Sequence, residues 1–194
     1  MSKKNKSVKE SSVEVQNTST HSDMMWLVAD TGTKYTTEQV FDMAKVESRS
    51  NMYDVEVGIG TDSQIIGKNF RFVTVICIYR KGKGGFYFYK PESMPREKYN
   101  LKNQKLRMFD EVARSIDLSL KLQESTGIVP IIHVDASPVG NGQFTSGFSD
   151  QLKGYIQSCG FDAMLKPESY VANCIADHHS KSKSMKKDRR RLYC

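Results

Sequence analysis

Tyr53-Asp54-Val55-Glu56-Val57-Gly58-Ile59-Gly60-Thr61-Asp62 is the stretch on which the fold turns. Val55, Val57, Ile59 and Thr61 share one face of a period-two pattern, and Gly58, Gly60 and Asp62 share the other, which predicts a β-strand ending in an acid. The two glycines leave the acid's own face bare, so a ligand or a helix can approach closely there. Gly67-Lys68-Asn69 then turns the chain, and Phe70 to Arg80 is apolar on both faces, as a central strand covered on two sides is. Lys81-Gly82-Lys83-Gly84-Gly85 turns it again into Phe86 to Lys90, giving three strands joined by hairpins.

Beyond Pro91 and Pro95 the spacing of Leu106, Phe109, Ala113, Ile116 and Leu120 predicts a long helix, roughly Lys98 to Glu124, with Gly127 as its stop. Ile128 to Val134 reads as a buried strand leading into Asp135. A polar, glycine-containing loop precedes a helix at about Ser149 to Ser158, closed by Gly160; Phe161 to Lys166 makes a fifth strand and Tyr170 to Lys181 a last helix. On the N-terminal side, Met24 to Ala29 is a short apolar patch. Thr36-Thr37-Glu38-Gln39 supplies an N-cap with Gln39 at the third helical position, ahead of a helix of about ten residues through Val40, Met43 and Ala44. The order is therefore β-β-β-α-β-α-β-α behind a helical extension. It predicts a mixed, five-stranded α/β sheet flanked by helices, with the fourth and fifth strands added in parallel to one edge of the hairpins.

The 194 residues suit one domain with a real core. Residues 1–22 are expected to be a disordered polar tail, 23–52 an N-terminal extension, 53–181 the α/β domain and 182–194 a basic tail. The net charge of +7 belongs to the ends: residues 181–194 carry +6 and residues 1–22 carry +2, leaving −1 between them. The positive charge thus says little about the folded domain, and the tails serve either as solubilising segments or as phosphate binders. Cys77, Cys159, Cys174 and Cys194 form no metal-spaced cluster, which points to a reducing compartment. With no apolar run of membrane-spanning length, the expectation is a soluble, cytoplasmic protein without a membrane partner.

Four acids fall where this topology gathers ligands. Asp62 and Asp135 follow strands that should be neighbours, Glu111 lies on the long helix and Asp177 on the last one. Each residue type also has plainer uses, as a turn former, a helix cap or a surface acid. Asp110 stands beside Glu111 as a rival, although Glu111 shares a helix side with Ser115 and Ser119, whose small side chains allow close approach to the sheet. Carboxylates brought together repel one another and persist where cations occupy them. Magnesium, or manganese in its place, suits such oxygen donors, and two ions about 4 Å apart can drive an in-line phosphodiester displacement.

Gly60-Thr61-Asp62-Ser63-Gln64, the Arg80-to-Gly85 turn, His133-Val134-Asp135, Lys166-Pro167-Glu168-Ser169 and Ala176-Asp177-His178 together resemble a bacterial and phage family of small predicted nucleases. That family was formerly a domain of unknown function and is now placed in the ribonuclease H-like superfamily; the likeness runs from about Trp26 to Lys181. The resemblance implies a ribonuclease H-like fold, with Asp62, Glu111, Asp135 and Asp177 as catalytic metal ligands and His178 or His179 assisting proton transfer or product release. His133 is better read as a core histidine, and Cys174 with His178 lacks a second pair for zinc. Lys81, Lys83, Arg96, Lys98, Lys102, Lys105 and Arg107 could track a phosphate backbone or form a solvated basic face. The resulting expectation is a metal-dependent nuclease acting on RNA, DNA or a hybrid. Its alternative is a nucleic-acid-binding module that keeps the fold without turnover. One copy of the domain and no phosphate-loop sequence set aside the nucleotide-binding relatives of this fold.

Overall fold

A computed structural model of the chain describes residues 25–28, 31–50, 52–98, 103–138, 140 and 144–181. The tails at 1–22 and 182–194, and Lys102, lie outside the described residues. The strands are β1 (Trp26–Val28), β2 (Lys34–Tyr35), β3 (Val55–Ile66), β4 (Asn69–Arg80), β5 (Gly84–Pro95), β6 (Ile131–His133) and β7 (Ala163–Met164). They form one sheet in the order β2-β1-β5-β4-β3-β6-β7. The expected hairpins and the parallel pairs β3–β6 and β6–β7 are present. The sheet nevertheless has seven strands rather than five, because the N-terminal segment adds β1 and β2 to the free edge of β5. β1 spans only three residues, too short for a period to be visible in the sequence, and it is its pairing with Phe88 and Tyr89 that makes it a strand.

The three hairpin strands are each twelve residues long, so β3 runs on through Asp62 to Ile66 instead of ending at the acid. Their tight turns rest on Gly67 and Gly82, whose positive φ values of 59° and 74° favour glycine. Helix α1 (Thr37–Ser48) begins with the expected capping box, in which Gln39 N–H donates to Thr36 Oγ1 and Thr36 N–H to Gln39 Oε1. Helix α2 (Gln104–Thr126) starts six residues later than the apolar spacing implied, at the point where the Asn103 side chain caps the N–H groups of Lys105 and Leu106. It ends at Gly127 with φ of 78°. Helix α3 (Ser149–Ser158) matches its expected span. The last helical stretch is a π-helical segment, Val171–Ala176, continuing into the short α4 (Asp177–Ser180).

Side-chain alternation divides the sheet into two faces. One carries Val57, Ile59, Ile76, Ile78 and Phe88, which pack with Trp26, α1 and the C-terminal part of α2. Alongside, Ile132 and Val134 pack with the N-terminal half of α2 and with α3. The side of α2 that is buried holds Met108, Glu111, Val112, Ser115, Ile116 and Ser119, whereas Leu106 and Leu120 face solvent, so the helix is rotated away from the stripe its leucines suggested. Hydroxyls lie on the buried side among the apolar groups: Ser115 Oγ donates to Thr61 Oγ1, which in turn donates to Thr74 Oγ1. The opposite face carries Val73, Val75 and Cys77 under Val171 and Ala176. No helix among the described residues is long and apolar enough to cross a membrane.

The glycines of β3 are what admit that π-helical segment. A Cβ on Gly60 would stand 2.9 Å from the backbone N of Ala172, and one on Gly58 would meet Val171 Cγ2 and His133 Nε2 at 2.9 Å. Gly60→Ala must therefore push backbone against backbone, and we expect it to cost about 1–3 kcal/mol in chemical denaturation. Gly154→Ala, on α3 with open space around it, should instead gain about 0.5–1 kcal/mol. Equal effects of the two substitutions would contradict this packing.

Candidate active site

β3 keeps its antiparallel partner β4 as far as Ile66↔Asn69, but its parallel partner β6 only as far as Gly60↔His133. One edge of β3 is thus left without a parallel partner just where Asp62 stands, and Asp135 follows two residues after His133 on the same sheet face. The segment lying over Gly60 continues into α4, which brings Asp177 and Ser180 above that face. Glu111 arrives from the other side, on the serine-lined side of α2. Asp62 and Glu111 are 6% and 7% exposed, which is unusual burial for carboxylates and needs compensating partners.

Those partners are hydroxyls and ammonium groups. Ser180 Oγ donates to Asp62 Oδ2 at 2.5 Å, and Ser63 Oγ donates to Glu111 Oε1 at 2.5 Å. Arg107 Nε lies 3.8 Å from the same Glu111 oxygen. Lys181 Nζ binds Asp177 Oδ2 one helical turn away. Lys166 Nζ is 2.6 Å from Asp135 Oδ1, close enough for an ion pair but too oblique for a hydrogen bond.

Burial, reinforced by the charges of Asp177 and Asp135 and opposed by the Ser180 hydrogen bond, pushes the Asp62 carboxyl up to about 6. Burial and then the charge of Asp62 raise Glu111 well above the usual carboxylate range, against the pull of Ser63 and Arg107. The four acids are therefore near enough to sense one another. Among the described residues, however, no three His, Cys, Asp or Glu side chains are gathered tightly enough to ligate one ion. The donor chemistry, oxygen ligands in a mutually repelling cluster, fits a hard divalent cation; Lys166 and Lys181 now supply the positive charge.

The rival acid Asp110 is engaged elsewhere, by Arg114, which also binds Glu92. His178 is exposed beside Asp177. His179 is buried, stacked on Tyr89 at 3.8 Å between ring centroids, with Nε2 3.1 Å from Tyr87 Oη. His133 is a core residue: neither ring nitrogen has a hydrogen-bond partner, and burial lowers it to about 4. Of the basic candidates, Arg107 lies beside Glu111 and Lys105 sits over the rings of Phe109 and Phe148. Lys81, paired with Asp54, and Lys83 occupy the turn after Arg80. That turn is at the far end of the sheet, about 25 Å along the strands from the Asp62–Val73 pair. Sequence reasoning passed over Ser63, Ser180, Lys166 and Lys181 as site residues. Ser63 and Lys166 stand within the motifs that carry the family resemblance, and Lys181 follows Asp177 at helical ion-pair spacing.

A family model described as Ribonuclease H-like matches residues 35–181. The uncharacterized protein YkuK of Bacillus subtilis is 28% identical over 138 residues, covering 64% of this chain and 78% of that protein. No solved structure matches the chain.

The raised Asp62 carboxyl has a thermodynamic signature. Its folded value lies above that of an unfolded aspartate, so the native state holds the proton more tightly and stability falls as pH rises from about 4 to about 6. The loss amounts to about 3 kcal/mol at most. In chelator, urea denaturation of Asp62→Asn should lose less stability over this interval than wild type, which Glu111 leaves with a residual slope of the same sign. Parallel pH profiles for the two proteins would contradict the burial of Asp62.

Proposed function

The chain belongs to the ribonuclease H-like family, and from that premise we propose that it is a nuclease hydrolysing phosphodiester bonds of RNA, DNA or a hybrid with Mg²⁺ or Mn²⁺. The observation that carries this reading is the convergence of Asp62, Glu111, Asp135 and Asp177, from four segments of the chain, at the edge of β3 where β6 stops. These four carboxylates would hold the two ions, whose chemistry would be charge neutralisation at the phosphodiester during in-line displacement. Ser180 and Ser63 orient the Asp62 and Glu111 carboxylates through their hydrogen bonds. Lys166 and Lys181 give way from Asp135 and Asp177, and each ammonium then remains at hand for a phosphate. His178, exposed and next to Asp177, is placed to pass a proton between the site and water. Arg107, at the near end of α2, is the basic residue of that run that stands beside a site acid.

One observation favours a second reading. Two lysines already satisfy two of the four acids, as they would in a nucleic-acid-binding module that has kept the fold without turnover. Metal titration separates the readings: in the nuclease, Mg²⁺ or Mn²⁺ raises the melting temperature of wild type and not that of Asp62→Asn. A cleavage panel of single-stranded, duplex, hybrid and branched substrates with either metal should show activity that Asp62→Asn reduces more than about 100-fold, since even the partners of metal ligands are worth 10–100-fold. No cleavage and no thermal response to either metal would leave the binding module.

A further inference from the structure

At the hairpin end of the sheet lies a cleft of about 380 Å³ lined by Ile66, Asn69, Arg71, Pro91, Glu92 and Ser93. Arg71 pairs across the sheet with Gln64 on one side and Ser93 on the other, two positions along from the Asp62–Val73 pair. Alternation therefore puts Arg71 on the same face as Asp62. Glu92 falls on the opposite face, where Arg114 binds its carboxylate, so its charge is already matched. Arg71 makes no ion pair or hydrogen bond with any described residue, and its Nε is buried without a partner. A buried N–H lacking an acceptor is costly, and a guanidinium edged by two neutral polar side chains, Asn69 and Ser93, and the apolar Ile66 and Pro91 is matched chemically by a phosphate.

Spacing ties the cleft to the acids. Two residues along a strand and one strand across place Arg71 about 8 Å from Asp62. Successive phosphates of one duplex strand rise about 3.4 Å each. A strand that leaves the carboxylates toward the β3–β4 turn therefore brings a phosphate past Arg71. We propose that Arg71 and its cleft form a phosphate-binding subsite that anchors the nucleic-acid strand beside the acids. The subsite rests on the nuclease reading for its purpose, but its binding can be measured without turnover.

The test is fluorescence anisotropy of a labelled oligonucleotide, single-stranded and duplex, titrated in chelator over a range of salt concentrations. Arg71→Gln should bind about tenfold more weakly at about 0.1 M salt. Its slope of log affinity against log salt should fall by about 0.7 for the single strand or about 0.9 for the duplex, one phosphate contact in either case. Arg71→Lys should keep the slope. Because Arg71 is half-buried, Ser93→Asp provides a second route: Ser93 is exposed, and a carboxylate there should pair with Arg71 and weaken binding by the same mechanism. Unchanged affinity and slope in both Arg71→Gln and Ser93→Asp would overturn the subsite, as would wild type binding inorganic phosphate as tightly as the oligonucleotide. If no substrate is cleaved while the slope still falls in these variants, the nuclease reading fails and the subsite stands.

Discussion

The candidate site depends on how low a helical segment can lie on one face of β3. With no side chains at Gly58 and Gly60, the Val171 side chain and the Ala172 backbone come down to a distance that a single methyl group would block. That height carries through the rest of the segment. Asp177 and Ser180 follow five and eight residues after Ala172, and only from this depth does the Ser180 hydroxyl reach the Asp62 carboxylate. The segment is wound as a π-helix, a form found mostly in short pieces and frequently at functional sites. The bare face that sequence reasoning left open to a ligand or a helix is taken by the helix, and the acid is presented at its end.

Gathering carboxylates at that point works against them. Burial disfavours their charge, and each negative neighbour disfavours it further, which is why both Asp62 and Glu111 are held above the usual carboxylate range. The chain offsets this with hydrogen bonds from two serine hydroxyls, to Asp62 and Glu111, and with two lysine ammonium groups paired to Asp135 and Asp177. Hydroxyl donors hold a carboxylate in place without cancelling its charge, whereas the lysines do cancel it. The two acids most deeply buried are held by serines, and the two more accessible ones by lysines on side chains long enough to swing away.

Glu111 comes from the opposite side of the sheet through a different device. A chain of small hydroxyls, Ser115 on α2 donating to Thr61 on β3 and Thr61 to Thr74 on β4, replaces the bulky apolar contacts that hold the rest of this helix, and Ser119, one turn on, is buried with its hydroxyl on the Ser115 carbonyl. It lets the helix lie close enough for Glu111 to meet Ser63, two residues beyond Thr61 on the same face of β3. Farther from the site, β1 and α1 complete the apolar cluster around Ile59, Ile76 and Phe88 with Trp26, Val40, Phe41 and Ala44.

The order of the strands and helices, the parallel addition of β6 and β7, the capping box of α1 and the glycine stop of α2 were all legible in the sequence. Each rests on local spacing or on the stereochemistry of one residue. Small residues at helical spacing also mark the side of α2 that can approach the sheet, the side on which Glu111 is buried. What local spacing could not reach was anything that depends on a partner distant in the chain. The two added edge strands exist only through pairing with β5, and the rotation of α2 only through its packing on the sheet. Lys166 was set beside Asp135 and Ser180 beside Asp62 by contacts spanning 31 and 118 residues. The sequence by itself determined which acids exist and on which elements they ride. The tertiary structure alone decided how deeply they are buried and which groups share their charge, because burial and Coulomb interaction are properties of distances between segments that no single segment encodes.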